Sequence, residues 1–262
     1  MQSNTHLLKF LYQAGLNYSF LESPRNRLTE KELSLKEPLS EKRSMTTQKP
    51  SISTPAKPLE TQKHVEHPAY ACQTLDDLRK ALDVFEGCAL KQSAQNTVFC
   101  DGNPQSDVML IGEAPGAEED KQGKPFVGMS GQLLDKMMAA IGLNRENVYI
   151  ANIIPWRPPG NRPPSTQEIA ACLPFIEQHI YLKKPKFLLL LGSVATKAIL
   201  NNHTGIMKLR GQWQTYKPPM AHPNDPVIQA LPTFHPAFLL RSPGQKVYAW
   251  EDLKTLKAAM DK

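Results

Sequence analysis

The sequence predicts an α/β domain of three layers, a four-stranded, mainly parallel sheet with helices on both faces. Four short runs, 107–111 (DVMLI), 148–154 (VYIANII), 187–191 (FLLLL) and 231–234 (LPTF), are nearly continuous in apolar side chains, as strands buried on both faces require. Between them lie segments whose apolar residues recur every three or four positions, so strands and helices alternate. With 262 residues, 40% of them hydrophobic, the chain can bury a sizeable core.

Taken in order, Leu7, Leu8, Leu11, Ala14 and Leu16 suggest a short amphipathic helix within residues 1–21. Residues 22–69 read as a disordered linker, because Pro24, Pro38, Pro50, Pro55, Pro58 and Pro68 stand among Ser, Thr, Lys, Glu and Gln with few aliphatics. Such a composition does not offset the entropy of ordering, and the linker is a candidate for binding other proteins. Residues 70–262 form the expected domain. Its first helix, 75–84, follows Thr74 and places Asp76 and Asp77 at the positive end of the helix dipole. A second, 131–141, spaces Leu133, Leu134, Met137, Met138 and Ile141 on one face and stops at Gly142. Ser165 or Thr166 caps a third through Glu168, Ile169, Cys172 and Phe175; 193–200 and 246–260 complete the set.

Composition also excludes. Lys plus Arg number 31 against 25 Asp plus Glu, a formal +6, a balance that suits an anionic partner such as nucleic acid. Four cysteines are too few for a disulfide scaffold, and no secretory leader pattern follows Met1, so a cytoplasmic protein, nucleoid-associated if bacterial, is expected. No apolar run approaches the ~20 residues that cross a bilayer, so no membrane partner is expected.

The chemistry sits after the strands, where ligands bind in open parallel sheets. Gly112 opens a loop, GEAPGAEED, followed by GKPFVG at 123–128. Glycine and proline let its backbone amides approach a ligand, and it carries four carboxylates; the plain alternative is an acidic, solvated loop. Neither dinucleotide-binding nor Walker glycine spacing is present. Asn152, inside the second apolar run, must find hydrogen-bond partners, structural or from a ligand. His235 stands at the end of the fourth, its following backbone fixed by Pro236. A carboxylate loop, an amide and an imidazole converging on one sheet end point to a catalytic site.

The segments GEAPGAEEDKQGKPFVGMSGQLLDKM, NIIPWRPPGNR and HPAFLLR resemble the signatures of family four of the uracil-DNA glycosylase superfamily, over roughly residues 88–252. The resemblance implies an enzyme of base excision repair that flips uracil out of DNA and hydrolyses its N-glycosidic bond. It implies an active-site loop from Gly112 and Glu113 through Ala114 to Gly116, and Phe126 stacked on the extruded base. Asn152 would bond the Watson–Crick edge, His235 would face O2, and Glu119 would lie close to the ring, where bulk excludes a thymine methyl. The catalytic residues would be Glu113, Asn152 and His235. A fixed amide can donate to and accept from the uracil edge, a pattern that cytosine reverses. Arg157, Arg162 and Arg241 are the expected phosphate contacts. Leu240, with Leu239, is either a wedge into the vacated stack or core packing. A monomer acting on uracil-containing DNA is expected; the alternative is a catalytically silent binder of damaged bases.

The resemblance also implies a four-iron, four-sulfur cluster on four cysteines, and here the sequence departs from it. Cys88 and Cys172 occupy two expected ligand positions, but Phe85 and Trp156 stand at the others. Two ligands of four do not hold a cubane without substitutes, and Cys72 and Cys100 lack the spacing. No cofactor is expected; were a cluster bound, Cys88 and Cys172 would be among its ligands. Phe85 and Trp156 are expected to fill the volume as an aromatic plug.

Overall fold

The computed structural model describes residues 67–262. The helix expected in 1–21 and most of the linker expected in 22–69 lie outside the described residues. The linker's expected end is corrected: Pro68–Ala71 forms one 3-10 turn, Ala69 is buried, and the His67 ring packs on Phe85 and Phe175 at centroid distances of 5.2 and 4.9 Å. Apolar contact ties the chain down before residue 70.

The strands are β1 Asp101–Gly102, β2 Val108–Gly112, β3 Tyr149–Asn152, β4 Phe187–Leu191, β5 Gln214–Tyr216 and β6 Ile228–Thr233. They form one sheet in the order β1-β3-β2-β4-β6-β5. The four central strands pair in parallel, as expected. The expected total of four becomes six, because β1 and β5 add short antiparallel edges. At two and three residues these edges are too short to show a period, and pairing with β3 and β6 alone defines them.

The helices among the described residues are α1 Leu75–Val84, α2 Leu90–Ser93, α3 Ala117–Gln122, α4 Met129–Ala139, α5 Thr166–Lys183, α6 Gly192–Leu200, α7 Ile206–Leu209, α8 Pro236–Arg241 and α9 Lys246–Met260. Strand residues alternate between two cores. Met109, Ile111, Leu188 and Leu190 pack with Leu78 and Leu82 of α1, Ile176 and Ile180 of α5 and Ile199 of α6. Val108, Leu110, Leu189 and Leu231 face Leu134 and Met137 of α4, Leu239 of α8 and Leu253 of α9. Each fully buried aliphatic contributes about 1.5–3 kcal/mol. The sequence reading of α5 stopped near Phe175, but the helix runs to Lys183 through Pro174. Burial of Ile176 and Ile180 beyond the proline offsets its missing hydrogen bond.

Beneath β3 lies a buried polar group that titrates. His179 is 3% exposed, its Nε2 is 2.7 Å from the Tyr149 hydroxyl, and its ring stacks on Phe99. Burial first, then the positive charges of Arg79 and Lys183, push its pKa from 6.5 down to about 3. Between those values the unfolded chain binds a proton that the folded protein refuses, so stability falls as pH drops. Thermal unfolding midpoints should decline on acidification below pH 6.5, and His179→Asn, which does not titrate, should flatten the decline between pH 6.5 and 5.

Candidate active site

Parallel pairing brings the carboxyl ends of the central strands together. Gly112 ends β2 directly opposite Asn152, the last residue of β3. Thr233 ends β6 opposite Leu191 of β4, and His235 follows as the N-cap of α8. These ends open on a cavity of about 470 Å³. Of the residues singled out in the sequence, Glu113, Ala114, Gly116, Glu119, Phe126, Asn152, Arg162, His235 and Arg241 line it. Gly112, Arg157 and Leu240 are not among its lining residues. Ser130 and Asn161 line it without having been assigned a role; Asn161 was legible only as part of the PPGNR segment.

Gly112 acts from behind the wall. A Cβ there would meet Asn152 Oδ1 at 2.4 Å and the Phe126 ring at 2.5 Å, so only glycine lets both side chains approach. Asn152 is 7% exposed and its Oδ1 has no protein hydrogen-bond partner. A buried polar atom of this kind is costly unless something else satisfies it. The Phe126 ring stands beside it, 5.7 Å from the His235 ring and tilted by 33°. Its backbone is left-handed, with φ 55°, a conformation that costs a residue bearing a Cβ about 1–2 kcal/mol.

His235 has a defined proton. Its Nδ1 accepts from the Ala237 amide at 3.1 Å, which leaves the hydrogen of the neutral ring on Nε2. Burial, reinforced by the Arg241 charge and opposed by Glu119, lowers its pKa to about 4. Near neutral pH the ring is therefore an uncharged donor. Gly192, at φ 89°, makes space for it, because a Cβ there would lie 2.8 Å from His235 Cβ. Burial raises the Glu113 carboxyl pKa and Arg241 partly restores it, which makes this carboxylate more basic than an exposed one.

Glu119 also lines the cavity, but its carboxylate is engaged. Oε2 accepts from the Gly116 amide at 3.0 Å, and Oε1 accepts from Val127 and Gly128 at 2.9 and 2.8 Å. It thereby ties the GEAPG loop to the loop carrying Phe126. The expected phosphate contacts are sorted by their partners. Arg162 is held by Glu168 through bonds of 2.9 and 2.6 Å, and Glu168 itself, pulled down to about pH 2 by that bond, completes a capping box with Ser165. Arg157 donates to Asn161 Oδ1 at 2.8 Å. Arg241 alone of the three faces Glu113 electrostatically from the cavity wall. Leu239 is fully buried whereas Leu240 is 37% exposed, so the core claims the first and leaves the second at the surface.

The region where the resemblance implies a metal cluster is aromatic. Phe85 and Trp156 stack with a centroid distance of 6.5 Å and an interplanar angle of 10°, and Phe175 meets Phe85 edge-on at 4.9 Å. Trp156 is 1% exposed and its indole N–H donates to Thr97 Oγ1 at 3.1 Å. Cys88 and Cys172 are both buried; interaction between the two thiols draws the Cys88 pKa down, and interaction with Cys88, with burial, pushes that of Cys172 up. Cys72 lies against the Pro68 carbonyl at 3.5 Å and Cys100 against Arg79 at 3.8 Å, each committed elsewhere. Among the described residues no group of three or more His, Cys, Asp or Glu side chains could hold a metal ion. Two thiols against a wall of rings do not fit a four-thiolate cubane.

Fold and site together define an α/β protein whose cavity sets an aromatic face, an amide and an imidazole donor side by side. Residues 99–254 match the uracil DNA glycosylase superfamily. The chain is 36% identical over 189 residues to the type-4 uracil-DNA glycosylase of Sulfurisphaera tokodaii, covering 70% of this chain and 84% of that one. It is 35% identical over 181 residues to the type-4 enzyme of Thermotoga maritima, covering 67% and 88%, and 30% identical over 122 residues to the type-5 enzyme of Thermus thermophilus, covering 41% and 55%. The chain belongs to the uracil DNA glycosylase superfamily.

The three amides on Glu119 give a direct stability test. Glu119→Ala leaves three part-buried donors without their acceptor and should destabilise the protein by about 1–3 kcal/mol in urea unfolding.

Proposed function

We propose that this protein removes uracil from DNA, hydrolysing the N-glycosidic bond to leave an abasic site. The observation that carries the reading is the buried, unpartnered Oδ1 of Asn152 beside the Phe126 ring. A flipped uracil lying against Phe126 would give that oxygen the N3–H donor it lacks, while the amide NH₂ reaches O4. Cytosine offers an acceptor at N3 and a donor at position 4, which mismatches the same amide twice.

Bond cleavage leaves cationic character on the sugar and negative charge on the departing base. His235, neutral and donating from Nε2, stabilises the charge that grows on O2. Glu113, made more basic by burial, orients the attacking water and faces the sugar cation. Glu119 keeps the two loops in register and adds bulk near the ring. Arg157 and Arg241 contact phosphate, and exposed Leu240 enters the gap left by the base. Arg162, already paired with Glu168, has a weaker claim on phosphate.

Uracil release is measured on a uracil-containing oligonucleotide followed by alkaline cleavage at abasic sites. Asn152→Ala and His235→Ala should each slow release by at least about tenfold, since donors to developing charge are commonly worth ~2.7–4 kcal/mol. Wild-type rates in both folded variants would remove these residues from the chemistry. Inactive wild-type protein that still binds the oligonucleotide would favour the silent binding relative instead.

The same reading makes the protein independent of iron. Half-buried Phe85 with buried Trp156 and Phe175 supports it by supplying apolar cross-links where thiolate–metal bonds would otherwise act. Anaerobically purified protein should carry no stoichiometric iron or acid-labile sulfide, and chelators should leave its melting unchanged. Trp156→Ala should cost about 3–5 kcal/mol in denaturant unfolding. Near-stoichiometric iron would overturn this.

A further inference from the structure

The Phe126 backbone needs a reason to stay left-handed, and the structure supplies one outside the cavity. Arg145, in the turn between α4 and β3, spends every N–H of its guanidinium around Phe126. Nη1 donates to Asp101 Oδ2 at 2.5 Å and to the Pro125 carbonyl at 3.2 Å. Nη2 donates to the Phe126 carbonyl and, at 3.5 Å, to Asp135 Oδ2; Nε donates to Asp135 Oδ1 at 3.0 Å. On the other side of that carbonyl stands Gly131, where a Cβ would lie 1.7 Å from the Phe126 oxygen. The carbonyl is thus held between a glycine and a planar fork that two carboxylates keep in place.

We propose that Arg145, braced by Asp101 and Asp135, is a positioning residue that fixes the plane of the Phe126 ring for stacking on the extruded base. The inference rests on the uracil reading above and extends it to residues that do not line the cavity. Capture of the Pro125 carbonyl fixes the peptide plane before Phe126, capture of the Phe126 carbonyl fixes the plane after it, and the two together hold the left-handed backbone that directs the ring toward Gly112 and His235. Stacking helps substrate and transition state alike, so loosening it should raise KM more than it lowers kcat. A lysine offers a compact charge with no fork and cannot hold both carbonyls and both carboxylates.

The test is a double-mutant cycle on a single-stranded uracil oligonucleotide, with kcat, KM and thermal midpoint measured for each full-length protein. Arg145→Met should raise KM by about five- to a hundredfold, the range of base–aromatic stacking, and Arg145→Lys should recover only part of the loss. In a Phe126→Leu background Arg145→Met should change KM by less than about twofold, because the ring it positions is gone. Where Arg145→Met fails to fold, Asp135→Asn carries the same test with a smaller rise that also vanishes in Phe126→Leu. Equal losses in both backgrounds, or a fall in kcat with KM unchanged, would overturn the assignment while leaving uracil release intact. A wild-type protein that releases no uracil would overturn both readings together.

Discussion

At Gly112 three groups need one volume. The end of β2 must pass so close to Asn152 and Phe126 that no side chain fits, and the rest of the site is arranged around that approach. Parallel pairing of β2 with β3 puts the glycine opposite the amide, so the contact follows from the sheet register. Because both faces of the sheet are covered by helices, the interiors of β2, β3 and β4 carry only apolar packing. Polar function is displaced to the residue at each strand's end: Glu113 after β2, Asn152 closing β3, His235 after β6.

Holding an amide, a ring and an imidazole at one point has a conformational cost that is met from the surrounding loops. Phe126 is left-handed, its carbonyl pressed between Gly131 and Arg145. The loops on either side of α3 are drawn together by one carboxylate, Glu119, that accepts three backbone amides. His235 is both cap and donor: accepting from Ala237 at Nδ1 stabilises the start of α8 and selects the tautomer that points a hydrogen from Nε2. A catalytic geometry maintained in this way does not depend on any one strong bond. Each charged group that holds it is hydrogen-bonded to backbone, so the desolvation of Glu119 and Arg145 is offset at the positions they fix.

The elements with a strong period were legible in the sequence and those defined by pairing were not. The boundaries of α1, β4 and α9 coincide with the sequence reading, because Thr74 caps the first, five unbroken apolar residues make the second, and regular apolar spacing carries the third. β1 was invisible, yet it brings Asp101 to Arg145. The lining residues with unusual chemistry, Glu113, Asn152 and His235, stood out as polar groups at the ends of apolar runs. Arg145 did not, since a lone arginine in a polar turn looks like solvated charge until its five hydrogen bonds are seen. Leu239 and Leu240 were indistinguishable as neighbours, and only the phase of α8 separates core from surface. Glu119 read as bulk near the base; its hydrogen bonds show a brace as well.

The aromatic plug shows how one structural task can be met by different physics. A metal cluster joins distant segments through a few strong, directional bonds and requires every ligand. Stacked rings join the same segments through many weak contacts, and their stabilisation scales with area rather than ligand count. Here Phe85 follows α1, Trp156 follows β3 and Phe175 sits on α5, so the rings connect three elements that are far apart in sequence. Trp156 lies four residues beyond Asn152, and its indole bond to Thr97 anchors the chain just after that amide. An indole at this position is an anchor that needs neither metal supply nor protection from oxidation. Cys88 and Cys172 lie buried within the same core as these rings, so the two thiols and the aromatic contacts share one packed volume.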